Sequence, residues 1–473
     1  MAILIWNAST TWWLWNSTDV GSIAAIIANS LLMCLPWWGY HLFKNKYSKT
    51  IGYISLLAFW LLFEYIHLNW QLSWPWLTLG NVFASHPGWI QWYEFTGVSG
   101  GTIWVLLTNI LIYRLLVQLK SKKSVITNGI AVFTIFLLPF LVSFLLNIPA
   151  SQNSHSGNIL IIQPNVDPYQ KFESVSVPQQ IQKLITLSES GLDSSTQLIL
   201  WPETALNAGI DQSQTSTHPI YQPLFDFINR HPHITLLSGI ETYQSYGNQK
   251  ASATSRKAGN GMYYDYYNAA VAIKANQPLQ FYHKSKLVPG VESLPTFLNF
   301  MAPLFEKFGG TTGGYGRDTA AMAFHIKGNA YIPAPIICYE SIYGEYVADY
   351  VKKGANVLTI ITNDGWWGNT PGHQQHLQYA RLRAIETRRY VARSANTGIS
   401  AVIDERGNIL ATQPWDQTAV IKYKVPTLGG ETFYVKHGDY LYKLGTILGT
   451  LLILWNIVLF IKNKFLLNSR VIK

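Results

Sequence analysis

At 473 residues, with 48% hydrophobic and only 13% charged side chains, the chain is too long for one compact core and too poor in charge to be soluble throughout. The net charge of +10 does not point to nucleic acid. The basic residues of the first part fall in short loops between apolar runs, and no Lys/Arg-rich tract with interleaved aromatics stands out elsewhere.

The deficit of charge is uneven. Residues 1–150 hold ten charged side chains, and 13 of the 18 tryptophans lie before residue 105. This predicts a membrane part over 1–150 followed by a soluble part. Four apolar runs, roughly 20–43, 51–68, 98–119 and 125–150, precede the soluble part, and a fifth, roughly 444–461, follows it. Each approaches or exceeds the ~18–20 residues that cross a hydrocarbon core. Arg114, near the end of the third run, can snorkel to the interface. Glu64, inside the second, should face protein or a wet cavity; a helix-packing hydrogen bond and a functional role both account for it.

The loops set the orientation. Lys44, Lys46 and Lys49 separate runs one and two, Lys120, Lys122 and Lys123 separate runs three and four, and the tail carries Lys462, Lys464, Arg470 and Lys473. Residues 1–19 and 69–97 have no Lys or Arg. With basic loops on the cytoplasmic side, all five crossings agree: N-terminus outside, 151–440 outside, C-terminus inside. The tryptophans of 69–97 suit the outer interface. No basic n-region with a cleavage site opens the chain, so no cleaved signal peptide is expected.

From 157 to 435 the pattern changes to short Ile/Val/Leu-rich runs between Pro, Gly and Asn turns. Strands are predicted at 158–166, 197–205, 234–242, 268–275, 330–339, 355–364 and 398–404, with helices at 178–190 and 373–395. Near-continuous apolar strands belong to sheets covered on both faces, so this domain is α/β. Residues 244–262, polar and Gly/Ser-rich, read as a mobile loop.

Three residues stand at or just beyond strand ends: Glu203 in "LWPETAL", Lys284 in "FYHKSKLVPGVESLP" and Cys338 in "IICYES". A carboxylate, an ammonium and a thiol make a complete acyl-transfer set: base, oxyanion stabiliser and nucleophile. Singly, each has a plainer account as a turn residue, a solvated lysine or an inert buried thiol.

Together, and with "YHKSKLVPGVE", "NDGWWG" and "QYARLRAIETRRYVARSANTGISAVID", they resemble the carbon–nitrogen hydrolase (nitrilase) superfamily. With membrane runs on both sides, the whole chain is similar to the apolipoprotein N-acyltransferase family. The resemblance implies an α+β, multi-pass membrane chain whose soluble domain is a four-layer αββα sandwich. It implies Glu203 as general base, Lys284 as oxyanion stabiliser and Cys338 as the nucleophile that carries the acyl group as a thioester. It adds Glu292 and Glu340 as supporting acids, which spacing alone would leave as surface or salt-bridge partners.

The same resemblance implies a membrane phospholipid as acyl donor and the N-terminal amine of a diacylglyceryl-cysteine apolipoprotein as acceptor. It implies a monomer in the bacterial inner membrane, with the catalytic domain on the periplasmic side, and no cofactor. The alternative from another class is a membrane-tethered amidase or nitrilase acting on a small C–N substrate. Two features depart from the family. Gly290-Val291 stands where an aromatic and Gly often precede the acid, and four helices are counted before the catalytic domain where about seven are typical, so the chain is expected to be shortened at its N-terminus.

A disulfide between Cys338 and Cys34 is not expected, because Cys34 lies in a predicted span. No metal is expected: His373 and His376 lie three apart on a predicted helix with no cysteine near them in sequence, and read as surface or packing residues. Trp366 and Trp367, beside "TND" at a strand end, are expected to shape a lipid entrance with the 244–262 loop, against core packing as the plainer account.

Overall fold

The computed structural model describes residues 1–121, 125–146, 156–171, 175–295, 297–298 and 314–471. Lys122, Lys123 and the end of the predicted span 125–150 lie outside these residues.

Apolar runs without strand-like alternation form long helices. The first, α1 (Ala2–Thr11), is short. Then come α2 (Asp19–Lys46), α3 (Lys49–Asn69), α4 (Tyr93–Lys120) and α5 (Ile126–Leu146), and a final helix, Tyr440–Val471, closes the chain. Of these six helices, all but α1 are long and apolar enough to cross a bilayer. Leu31, Trp38, Phe144, Val458 and Phe460 are each 60% or more exposed, as side chains facing lipid would be. Helix α4 is broken at Gly97, where φ is +60° and a Cβ would sit 2.3 Å from the Tyr434 ring.

Glu64 resolves to helix packing. One carboxylate oxygen accepts from Trp60 Nε1 and the Leu79 N–H at 2.9 Å each; the other accepts from Thr102 Oγ1 at 2.8 Å and Tyr442 OH at 2.9 Å. Four donors from α3, α4, the final helix and the segment after α3 therefore converge on one buried acid. That segment, 70–92, folds as short 3₁₀ turns on the side where the soluble domain sits.

The soluble domain is two sheets packed face to face. Strands β1 (Ser156–Gln163), β2 (Thr196–Leu200), β3 (Leu206–Asp211), β4 (Thr235–Ser245), β5 (Arg256–Lys257), β6 (Tyr263–Ile273) and β7 (Gln280–His283) form one sheet with β13 (Ala419–Pro426). Its order is β13-β1-β2-β4-β6-β5, with β3 on β4 and β7 on β6. The second sheet runs β12 (Ile409–Thr412), β11 (Ala401–Ile403), β10 (Val391–Ala395), β9 (Val357–Thr362), β8 (Pro333–Ile337). Ile159, Ile161, Leu198, Leu200, Ile336 and Ile360 fill the space between the sheets. Helices α6 (Val177–Gly191) and α7 (Gln222–Arg230) cover one outer face; Gly344–Lys352 and Pro371–Thr387 cover the other. The four layers are those expected of the αββα sandwich.

Two expectations change. The predicted helix 373–395 ends at Thr387: Arg388 takes φ +49°, and Val391–Ala395 pairs in parallel with β9 instead. The expected loop 244–262 contains the end of β4 and all of β5, and closes on β6 through Tyr263 N–H to the Gly247 carbonyl at 2.6 Å.

Substituting Glu64 with Ala strands four donors, so we expect it to cost at least about 2 kcal/mol. Thermal unfolding in detergent should show a lowered midpoint, and Glu64→Gln, which keeps one acceptor oxygen, should lose less.

Candidate active site

Strand ends deliver the three predicted residues to one place. Glu203 follows β2 in a turn that packs directly on β4. A Cβ on Gly239 of β4 would lie 2.6 Å from Glu203 Cα and 2.5 Å from the Thr204 N, so only glycine permits this approach. Lys284 directly follows β7. Cys338 directly follows β8 and opens a 3₁₀ turn with φ +50°, a conformation few non-glycine residues adopt outside functional sites.

Lys284 is the centre of charge. It is 1% exposed, and its Nζ donates to Glu203 Oε1 at 3.1 Å and Glu292 Oε1 at 2.7 Å. Burial works against its charge, but Glu203 and Glu292, with Cys338 beyond them, outweigh it and hold the ammonium well above its ordinary pKa. Asn268 Nδ2 bridges the same two oxygens, at 2.8 Å to Glu203 and 3.1 Å to Glu292. The Asn363 N–H donates to the other Glu203 oxygen at 3.0 Å. The Val288 N–H donates to the other Glu292 oxygen at 2.8 Å. The Gly290-Val291 variant loop therefore still places its acid on Lys284: Gly290 takes φ +81°, and its N–H closes the turn on the Ser293 carbonyl at 2.7 Å.

Burial pushes the Cys338 thiol far up. The Glu203 carboxylate adds to this, while Lys284 and a hydrogen bond with Thr362 oppose it. The resting group is a protonated thiol beside a carboxylate and an ammonium, not a preformed thiolate.

Glu340 is fully buried in the Cys338 turn. It accepts from Tyr282 OH at 2.5 Å, Ser285 N–H at 2.7 Å, Ile337 N–H at 2.9 Å and Lys286 N–H at 3.3 Å. Burial pushes it up to about 6 against the Tyr282, Ile337 and Ser285 hydrogen bonds that favour its charged form. It ties the Lys284 loop to the Cys338 turn. Neither Glu292 nor Glu340 is a surface residue.

Trp366 and Trp367 lie where the soluble domain meets the membrane part. Trp367 packs on Trp13 at 4.9 Å and Trp76 at 5.6 Å between ring centroids, and Trp366 on Tyr169 at 5.3 Å. Their carbonyls accept from Asn16 and Ser17.

Several residues of this centre escaped the sequence reading. Asn268 was hidden as the one polar residue opening an apolar strand. His376 and Asp364 were hidden because a polar helix start and a turn acid look solvated. His373 and His376 are in fact 1% and 0% exposed, which corrects the surface alternative for both. Folding also brings a cysteine to His376, which the sequence spacing did not: ligand atoms of Cys338, Asp364 and His376 lie within 4.8 Å of one another. This set does not fit a resident metal, because Arg393 already neutralises Asp364 at 2.6 Å and both imidazole nitrogens have partners. Cys34 and Cys338 are both free thiols.

Residues 161–430 match the carbon–nitrogen hydrolase family, and residues 1–111 match the apolipoprotein N-acyltransferase N-terminal domain. The apolipoprotein N-acyltransferase of Chlorobaculum tepidum is 30% identical over 93% of this chain and 83% of its own length. The chain belongs to the apolipoprotein N-acyltransferase family. The apolipoprotein N-acyltransferase of Thermotoga maritima is 25% identical, over 90% of this chain and 76% of its own. Among solved structures, Saccharomyces cerevisiae Nit3, a member of branch 10 of the nitrilase superfamily, aligns with 61% of this chain and 96% of its own, at 16% identity and a TM-score of 0.41. Like the family to which it belongs, this chain joins an apolar helical part to a carbon–nitrogen hydrolase domain; it is a multi-pass membrane protein.

Because the hydrogen-bond partners of Glu340 among the described residues are all donors, an amide cannot replace its carboxylate. Glu340→Gln turns an NH₂ toward N–H groups, so we expect kcat to fall about tenfold or more, close to the loss in Glu340→Ala. Steady-state kinetics of the two purified variants check this.

Proposed function

We propose that this protein transfers an acyl chain from a membrane phospholipid, through a Cys338 thioester, to the N-terminal amine of a diacylglyceryl-cysteine apolipoprotein. The observation that carries this reading is the seating of the nucleophile turn on the membrane part. Tyr339 OH donates to the Ser73 carbonyl at 2.8 Å, and Tyr343 OH to Ser73 Oγ at 2.7 Å. Residues one and five after Cys338 are thus anchored to the segment that joins two apolar helices.

In the first step the Cys338 sulfur attacks the ester carbonyl as Glu203 takes the thiol proton. Lys284 and nearby backbone N–H groups hold the oxyanion. The C–O bond to glycerol breaks, and Glu203 returns the proton to the departing lysophospholipid alcohol. In the second step the acceptor amine attacks the thioester and gives a proton to Glu203. The C–S bond breaks, an amide remains, and the proton returns to sulfur. Glu292 and Asn268 keep Lys284 and Glu203 in place through both steps.

Both substrates keep their acyl chains in the bilayer, where each buried CH₂ is worth about 0.8 kcal/mol. A site at the membrane face spares the extraction a soluble enzyme would need. Five crossing helices exceed what tethering requires, which disfavours a membrane-tethered amidase. The basic loops support the inner membrane with the catalytic domain on the periplasmic side. We take the working unit to be a monomer. Trp366 and Trp367 border the acyl-chain approach in this reading, at the seam with Trp13 and Trp76.

In a conditional mutant, mass spectrometry of a reporter lipoprotein should show a third acyl chain with this protein and none with Cys338→Ala. Three-chain product made by the alanine variant alone would refute the nucleophile. Trp367→Ala should slow lipid turnover several-fold; unchanged turnover would remove the tryptophan from the approach.

A further inference from the structure

The nucleophile's backbone is held by a buried charged relay that the chemistry above does not use. Cys338 sits at φ +50°, and its carbonyl accepts from Ser341 Oγ at 2.8 Å and His376 Nε2 at 3.2 Å. His376 Nε2 also lies 2.9 Å from Ser341 Oγ. On the other side of the ring, Nδ1 lies 3.0 Å from Asp364 Oδ1 and 3.2 Å from Arg393. Asp364 is fixed in turn by Thr362 Oγ1 at 2.8 Å and Arg393 at 2.6 Å. Arg393 also donates to the Ile399 carbonyl at 2.5 Å. His376, Asp364, Ser341 and Arg393 are all 0% exposed.

We propose that His376, oriented by Asp364 and Arg393, is a positioning residue that locks the strained Cys338 backbone and so aims its sulfur at the Glu203–Lys284 pair. The inference rests on Cys338 as nucleophile and adds to it. A residue at positive φ persists only where its surroundings over-determine it. The backbone here has that restraint on its carbonyl side: Ser341 donates its hydroxyl proton to the Cys338 carbonyl, which leaves the imidazole Nε2–H to serve the same carbonyl and the Ser341 oxygen. With the proton on Nε2, the other ring nitrogen accepts from Arg393 at 3.2 Å, and Asp364 holds that guanidinium in place at 2.6 Å.

The relay also reaches the base. Asn363, whose N–H holds Glu203, lies between Thr362 and Asp364, so the turn that orients the histidine also orients the carboxylate. The helix Pro371–Thr387, which carries His376, is itself pinned to the membrane part. Gln375 accepts from Trp76 Nε1 at 2.6 Å, and Tyr379 OH donates to the Trp76 carbonyl at 2.8 Å. One helix thus runs from the membrane seam to the nucleophile's carbonyl.

The test uses the full-length protein with Cys34 replaced by Ala, which leaves Cys338 as the one thiol. Three quantities are read for His376→Ala, His376→Gln and Asp364→Asn beside Cys338→Ala: kcat, KM for the phospholipid, and the rate of Cys338 alkylation by iodoacetamide. The relay predicts that His376→Ala lowers kcat about 10- to 100-fold, as expected for a lost buried hydrogen bond. KM should be nearly unchanged, and alkylation should change with kcat. Gln places an amide N–H where Nε2 was, so it should recover part of both rates. Asp364→Asn should fall between wild type and His376→Ala. If the His376 variants lower only the melting temperature and leave kcat and alkylation at wild-type values, the inference is overturned while Cys338→Ala still reports on the nucleophile. If Cys338→Ala retains activity, both readings fall.

Discussion

The ammonium of Lys284 is buried where an isolated charge would not survive, and it persists because two carboxylates close on it at 3.1 and 2.7 Å. That requirement dictates the rest of the centre. Glu203 arrives from the turn after β2, Glu292 from the loop after Lys284, and Asn268 from β6 to bridge both acids. Burial pushes the Cys338 thiol upward, and the Glu203 carboxylate adds to this against Lys284. In the proposed mechanism the thiol proton passes to Glu203 when the sulfur attacks, and Lys284 supplies the positive charge for the new oxyanion.

The membrane part enters this arrangement as a structural partner of the Cys338 turn. Ser73 holds Tyr339 and Tyr343 on one side of the Cys338 turn, and Trp76 holds the helix of His376 on the other. The same segment is hooked into the helical bundle through Leu79 and Glu64. Hydrogen bonds at both ends of the short segment 73–79 thus link a buried acid among the apolar helices to the turn around the thiol. Further ties reinforce the seam: Arg388 to Glu94 at 2.5 Å, and the Val98 N–H to Glu386 at 3.2 Å. Catalytic geometry and membrane attachment are consequently one structural problem, which explains why the soluble domain is clamped along several helices.

Much of this was legible in the sequence. Crossing helices are long and apolar, so their length and composition alone mark them, and the buried strands announce themselves as Ile/Val runs. Helix ends were harder. Arg388, Arg389 and Tyr390 contain no glycine or proline to stop a helix, and the stop comes from a left-handed Arg388 and from pairing of Val391–Ala395 with β9, which is a tertiary choice. Glu203, Lys284 and Cys338 stood out together because their residue types complement one another chemically. His376, Asp364 and Asn268 did not, because a buried polar network leaves no periodic trace: each member looks solvated until its partners, 12 to 38 residues away or more, are folded onto it.

The central claim is that sulfur holds the acyl group between donor and acceptor. The most direct measurement incubates the purified protein with phospholipid and no acceptor, then locates the acyl group by peptide mass spectrometry. The account predicts an acyl chain on the Cys338 peptide, released by neutral hydroxylamine and transferred on adding a diacylglyceryl peptide. Acyl transfer that proceeds with Cys338 never acylated, or an acyl group found on another side chain and passed on from there, would contradict it.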